Sequence, residues 1–289
     1  MGGGAWTNCS YVTHSTTTRG FTSMDAFVSA STQELYRSRR LNEILNPYKV
    51  IRECCDSEEH PNTIPVILAL DVTGSMGSAA SAIATQLGEI MESIYKNVKD
   101  VEFLTMAIGD LSYDSAPIQA SQFESDIRIA EQLEKVYFEG GGGGNSWESY
   151  SAAWYFGLKH TRLDCWKRNQ KGIIITLGDE GLNPYLPAQA LNKVLGDTVE
   201  KDIETKDLFI EASKYFDIYH IAVDDRRTSY WNYASRIKET FGKLLKQNLI
   251  VSNCDNLANV IATIVSEHSN QEEDVSIIPN NNTENYVSW

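Results

Sequence analysis

Five short apolar runs alternate along the chain with stretches whose apolar residues recur every three to four positions. That alternation predicts a doubly wound α/β fold, a mostly parallel sheet with helices on both faces. The first run, Val66-Ile67-Leu68-Ala69-Leu70, is entered through Pro65 and ends at Asp71. It is apolar on successive residues, as expected of a strand covered on both faces. The others span residues 101–108, 172–177, 216–223 and 249–251, and the first three of these end in Gly109-Asp110, Gly178-Asp179 and Asp224-Asp225. Between them, Ile83, Leu87, Ile90, Met91 and Ile94 make a helical stripe. A second helix is expected beyond the glycine run 140–144, with Asn145 as N-cap and Glu148 completing a capping box. Further helices are predicted over 187–213, 229–246 and 257–267, and residues 117–123, entered through Pro117, are expected to form an edge strand.

Two regions fall outside the alternation, so three segments are expected. Residues 1–60 form a polar N-terminal extension with one helix around 31–45 that Pro47 ends, 61–268 the α/β domain, and 269–289 a flexible tail. With 289 residues, 42% of them hydrophobic, a packed core is well supplied. Lys and Arg number 25 against 39 Asp and Glu, a net charge of −14 that disfavours nucleic acid as a partner. The densest basic run, Arg37-Ser38-Arg39-Arg40, suits a solvated helix face. No segment nears the roughly 18 apolar residues of a membrane span, and the first residues lack the pattern of a secretory signal. The cysteines (Cys9, Cys54, Cys55, Cys165 and Cys254) are odd in number and lack a C-x-x-C pair, which points to reduced thiols in a cytoplasmic protein.

The candidate chemistry lies where strands end. Asp71, Asp110, Asp179 and Asp224 all follow predicted strands, and in open parallel sheets ligands bind beyond those carboxyl ends. Acidic groups collected there repel one another unless a cation sits among them. In Asp71-Val72-Thr73-Gly74-Ser75, oxygens at alternate positions can turn toward one point, and Gly74 and Gly77 allow the loop to curl. An all-oxygen set suits Mg²⁺ or Mn²⁺, with Ca²⁺ also admissible. The plainer reading of the same segment is a tight turn in which Ser75 or Ser78 caps the following helix.

Asp71-x-Thr73-x-Ser75 after an apolar strand resembles the metal-ion-dependent adhesion site of von Willebrand factor type A domains. Gly140 to Gly144 followed by Asn145-Ser146 is similar to that family's Gly-Gly-Thr loop, and residues 173–179, ending in Asp179, to its strand ending in Thr-Asp-Gly. The resemblance covers about residues 62–268 and implies a metal held by Asp71, Thr73, Ser75, Asn145, Ser146 and Asp179. Asn145 or Ser146 replaces the usual Thr, with Glu148 one turn on. Asp179 stands in Leu-Gly-Asp-Glu, which leaves Glu180 as its alternative. Asp110 and Asp126 would be supporting acids. The implied function is protein binding, a partner's Asp or Glu carboxylate filling the open metal position. Similarity to von Willebrand-like proteins of bacteria and phages further implies an intracellular assembly, with an AAA-type ATPase as one candidate partner.

A rival of another class is weighed with it. Asp71-Val72-Thr73-Gly74-Ser75 also resembles the nucleophile loop of haloacid-dehalogenase-type phosphotransferases, and Gly178-Asp179-Glu180-Gly181-Leu182-Asn183 their Gly-Asp-Gly-x-Asn-Asp. Asp71 would then be a nucleophile and Asp179 a Mg²⁺ ligand. Val72 stands where that family has Lys or a second Asp, and Pro184 follows Asn183 where an Asp is expected. Among the remaining features, Asp56, Glu58, Glu59 and His60 are expected in a solvated loop at the far end of the sheet. His220 and Trp154 are expected in the core, and Trp147 exposed beside the metal.

Overall fold

The computed structural model describes residues 8–141, 147–225, 228 and 230–275. Asn145 and Ser146 therefore lie outside the described residues, as does most of the glycine run. Six strands form the central sheet: β1 (Ile64–Asp71), β2 (Val101–Ile108), β3 (Ile118–Glu124), β4 (Gly172–Gly178), β5 (Phe216–Val223) and β6 (Leu249–Ser252). Their order is β6-β5-β4-β1-β2-β3, parallel throughout except for β3, which runs antiparallel to β2 at the edge. The order reverses at β1, whose neighbours are β4 and β2, the switch point at which open α/β sheets bind ligands. Register then aligns the chemistry: Leu70 pairs with Leu177 and Asp71 with Ile108. The chain segments carrying Asp71, Asp110 and Asp179 consequently leave the sheet along one edge.

Every residue of β1 is buried, and the pleat sends its side chains to two cores. Val66, Leu68 and Leu70 face α1 (Gly77–Asn97), whose Ile83, Leu87 and Ile90 pack there. Ile67 and Ala69 face the other core, with Leu104 and Met106 of β2. The remaining helices are α2 (Arg128–Leu133), α3 (Ser151–Lys159), α4 (Ala188–Leu195), α5 (Thr205–Ala212), α6 (Tyr230–Thr240) and α7 (Leu257–Val275). Ile261 and Val265 of α7 join α1 on one face, while Trp154 of α3 and Leu191 of α4 cover the other. Doubly wound α/β architecture is thus what the alternating pattern predicted.

Several local expectations change. The stretch 187–213 is two helices, because Gly196 ends α4 in the left-handed region at φ 78°. Residues Ile203–Glu204 then pair with Tyr185–Leu186 before α5 begins. The segment 229–246 likewise divides at Thr240, a short helix Gly242–Leu245 following α6. The helix expected over 31–45 is a single turn, Thr32–Leu35, opened by a Ser31–Glu34 capping box. Tyr36 then leaves helical geometry and buries its ring, its hydroxyl donating to Ala80 O at 2.8 Å. The N-terminal extension is built into the main core: Tyr11, Phe27, Leu35, Tyr36 and Leu45 are all buried in the cluster that includes α1. At the other end α7 runs on to Val275, past the point where the tail was expected to begin.

The loop before β1 is also more ordered than its charge suggests. Only Ser57, Glu58 and Glu59 of residues 56–60 are exposed. Asp56 accepts from the Thr63 amide at 3.0 Å and pairs with Arg168, and His60 Nδ1 meets Asp100 Oδ1 at 2.9 Å.

Candidate functional site

The site grows from the last residue of β1. Asp71 and Asp179, which follows β4, are both 0% exposed although each carries a carboxylate. Asp71 Oδ1 accepts from the Thr73 amide at 2.8 Å and the Thr73 hydroxyl at 2.5 Å. Its other oxygen accepts from the Tyr150 hydroxyl at 2.6 Å. Ser75 reaches across the switch point and donates to Asp179 Oδ1 at 3.0 Å. Four of the residues expected at a metal, Asp71, Thr73, Ser75 and Asp179, are therefore brought together; Asn145 and Ser146 lie outside the described residues.

Backbone contacts hold the loop that carries them. Gly140 N donates to Val72 O at 3.1 Å and Gly74 N to Gly141 O at 2.8 Å, so the start of the glycine run lies directly on the Asp71–Ser75 segment. A Cβ at Gly74 would stand 2.9 Å from Gly140 O, closer than real side chains approach. Glycine at 74 is thus a packing requirement.

Tyr150 is the site residue that sequence reasoning missed. It is fully buried beside the start of α3 and reaches Asp71 from 79 positions away. The signal was Gly178: a Cβ there would collide with the Tyr150 ring and hydroxyl, so the end of β4 must be bare for Tyr150 to pass. The helix expected directly after the glycine run starts only at Ser151, beyond Glu148, and its expected N-cap, Asn145, lies outside the described residues. The Ser151 amide is capped by Asn183 Oδ1 at 3.2 Å, which gives Asn183 a structural role. Glu148 sits in a two-residue strand paired with Leu182 and is 1% exposed.

The electrostatics are unbalanced. Burial, and then the neighbouring Asp179, push the Asp71 carboxyl up to about 7. Burial together with Asp71 and Asp179 pushes Glu180 up to about 8, and burial with Asp71 and Glu180 pushes Glu148 up to about 11. Glu148 Oε2 and Glu180 Oε2 are buried without a hydrogen-bond partner among the described residues. Buried carboxyl oxygens in such a place fit a hard cation better than a soft one. Among the described residues no group of three or more His, Cys, Asp or Glu is placed to hold an ion. Two of the four residues of the candidate set instead supply hydroxyls, and on that composition it fits Mg²⁺-type chemistry.

Other expected residues divide. Asp110 is 2% exposed, accepts from Ser112 N at 2.7 Å, and raises both Glu148 and Glu180. Asp126 is not a supporting acid. It follows β3, whose antiparallel direction delivers it to the opposite sheet edge, where Arg128 binds it at 2.8 Å. Between Asp179 and Glu180, Asp179 is the one that Ser75 reaches. Trp154 is core, and half-buried Trp147 lies under the Arg236 guanidinium at 5.2 Å. His220 is core too, stacked on Phe241.

No family model and no curated protein matches this chain. Among solved structures it is similar to the pilus adhesin SpaC of Lactobacillus rhamnosus GG, at 12% identity and TM-score 0.50 over 78% of this chain and 32% of that one. It spans about a third of the adhesin's length. The vWF domain of the type V pili tip protein Mfa5 from Porphyromonas gingivalis aligns at 11% identity and TM-score 0.45, over 76% of this chain and 98% of that one. BatB, a conserved hypothetical protein of Bacteroides thetaiotaomicron, aligns at 14% and 0.42, over 72% and 99%. At these identities the similarity speaks to fold alone, and the adhesin shares the α/β fold described above.

Proposed function

We propose that the chain is a metal-dependent protein-interaction module. Asp71, Thr73, Ser75 and Asp179, with Asn145 or Ser146 from the glycine-run loop, would hold Mg²⁺, Mn²⁺ or Ca²⁺. One observation carries the reading: two fully buried carboxylates at the switch point of the sheet, linked to the hydroxyls of Thr73 and Ser75. A bound divalent cation would place positive charge beside this pair and offer a docking point for a partner's Asp or Glu carboxylate. Tyr150 fixes the orientation of Asp71, and the Gly140–Gly141 contacts fix the loop. The fold shared with a pilus adhesin supports a binding role. The proposal includes an intracellular bacterial or phage assembly as the setting, an AAA-type ATPase being one candidate partner.

Nothing favours the phosphotransferase alternative. Val72, in place of that family's polar residue, is 1% exposed.

The test is thermal unfolding with Mg²⁺ against EDTA. At about a hundredfold excess over Kd, a ligand adds roughly 2.7 kcal/mol, a rise of several degrees for a domain of this size. Asp71→Ala with Ser75→Ala should abolish the rise, and Asp71→Asn, which keeps an acceptor for Thr73, should do so with less risk to the fold. An unchanged wild-type melting temperature in Mg²⁺, Mn²⁺ and Ca²⁺ would overturn the reading.

A further inference from the structure

A cavity of about 310 Å³ lies between the N-terminal segment and the turn that follows α2. Its lining is Arg19, Leu35, Arg37, Ser38, Glu134 and Lys135. Three of these six side chains are cations in a chain of net charge −14. The start of the basic run expected on a solvated helix face, Arg37-Ser38, therefore lines a concave site.

The charges inside are unevenly spent. Arg19, only 7% exposed, donates to Leu35 O and pairs with Glu134 at 2.9 Å. His14 Nε2 also meets Glu134, at 3.3 Å. Glu134 is thus occupied from the protein side. Arg37 gives its Nε to Glu34 O at 3.1 Å and lies over the Phe21 ring, but forms no salt bridge among the described residues; nor does Lys135. Nearby Glu34 is bound to the Ser31 amide and hydroxyl of its capping box. Ser38 donates to Lys135 O at 2.8 Å, which pins the two walls together. Three cations less one carboxylate leave the lining at +2.

We propose that this cavity binds a phosphate dianion, either free or as the ester head of a small molecule. A charge of +2 matches the phosphate dianion, which predominates above its second pKa, near 6 for an ester and higher for the free ion. The arginine fork suits a phosphate's paired oxygens, and Lys135 adds a point charge. The volume sits at the lower end of small-molecule sites, which admits a phosphate with a compact organic part against Leu35. Exposed Arg39 and Arg40 continue the basic run outside the cavity and would steer an anion toward it.

The experiment is calorimetric titration of the full chain, in EDTA and at constant ionic strength, with inorganic phosphate and separately with glycerol phosphate. EDTA removes any phosphate bound through a metal at Asp71. Saturable one-site binding is expected, at least about tenfold weaker in Arg37→Gln and in Lys135→Gln and unchanged in Lys201→Gln, an exposed cation that does not line the cavity. Tighter binding of glycerol phosphate identifies an ester as the ligand, and tighter or equal binding of the inorganic ion identifies free phosphate. Arg37 and Lys135 make no salt bridge among the described residues and Arg37 is exposed, so both variants should keep a cooperative melt without phosphate, within a few degrees of the wild type. Absence of saturable binding by both probes, or equal binding by the Arg37→Gln/Lys135→Gln double variant, would overturn the proposal.

Discussion

His220 makes a prediction about acid that can be worked through from its surroundings. The ring is fully buried on β5, stacked on Phe241 with centroids 3.8 Å apart, and its Nδ1 lies 2.8 Å from Thr176 Oγ1. Thr176 donates its own hydroxyl proton to Tyr219 O at 3.1 Å, so its oxygen is left to accept from Nδ1–H. That assignment puts the lone pair on Nε2, which has no hydrogen-bond partner among the described residues. Protonation would place an N–H, and a charge, where nothing accepts it. Burial accordingly lowers the imidazole from 6.5 to about 3.

The sign follows from linkage. A base whose folded-state pKa is depressed leaves stability intact above the unfolded value and loses it as pH falls, because the unfolded chain takes the proton first. Between pH 6.5 and pH 5 the loss is about 1.5 units at 1.36 kcal/mol each, or about 2 kcal/mol. It would continue to grow until pH approaches about 3. The assay is urea unfolding at several pH values for wild type and His220→Asn. The variant loses the stack on Phe241 and is less stable at every pH, but the difference between the two proteins should shrink by about 2 kcal/mol from pH 6.5 to 5. Other titrating groups cancel in that difference. A gap that stays constant would refute the account of a neutral, single-tautomer His220. The effect bears on the candidate site, since the His220 ring meets Tyr150 edge-on at 4.9 Å and Tyr150 holds Asp71.

Two further outcomes are expected. Gly178→Ala forces a methyl into Tyr150 and should cost roughly 3 kcal/mol, at the upper end for overpacking; adding Tyr150→Ala should cost less than the sum of the single changes in a double-mutant cycle, and strict additivity would remove Gly178 from the site's architecture. Deleting residues 1–45 uncovers the core against Tyr11, Phe27, Leu35, Tyr36 and Leu45, each worth roughly 1.5–3 kcal/mol when buried, so the shortened chain should lose its cooperative melt and bind a hydrophobic dye. A shortened chain with an unaltered melting temperature would show the N-terminal segment to be an appendage.

The sheet was legible because each parallel strand announces itself twice, by a mostly apolar run and by the polar residue at its end. Val66 to Leu70 must be apolar on both faces because both faces are covered. The N-terminal segment was not legible. Tyr11, Phe27, Leu35 and Tyr36 follow no helical or strand period, and only the surface of α1 decides where each side chain goes. The direction of β3 was equally hidden, since an edge strand has the same pattern whichever way it runs. Asp126 was misplaced for that reason alone.

At the site the division is sharper still, and it follows sequence distance. Asp71, Thr73 and Ser75 lie within five residues, so their convergence is a property of one loop and could be read locally. Asp179 could be added because strands that neighbour each other at a switch point bring their ends together. What makes these groups a constrained unit is long-range and involves no chemistry-bearing motif: Tyr150 crossing a bare Gly178, and Gly140–Gly141 lying on Val72 and Gly74. Glycine is the trace such contacts leave in a sequence, because close approach demands a missing Cβ. Gly74, read initially as a residue that lets a loop curl, is required by what passes over it. The glycines that border a candidate site therefore report on its packing as directly as the aspartates report on its charge.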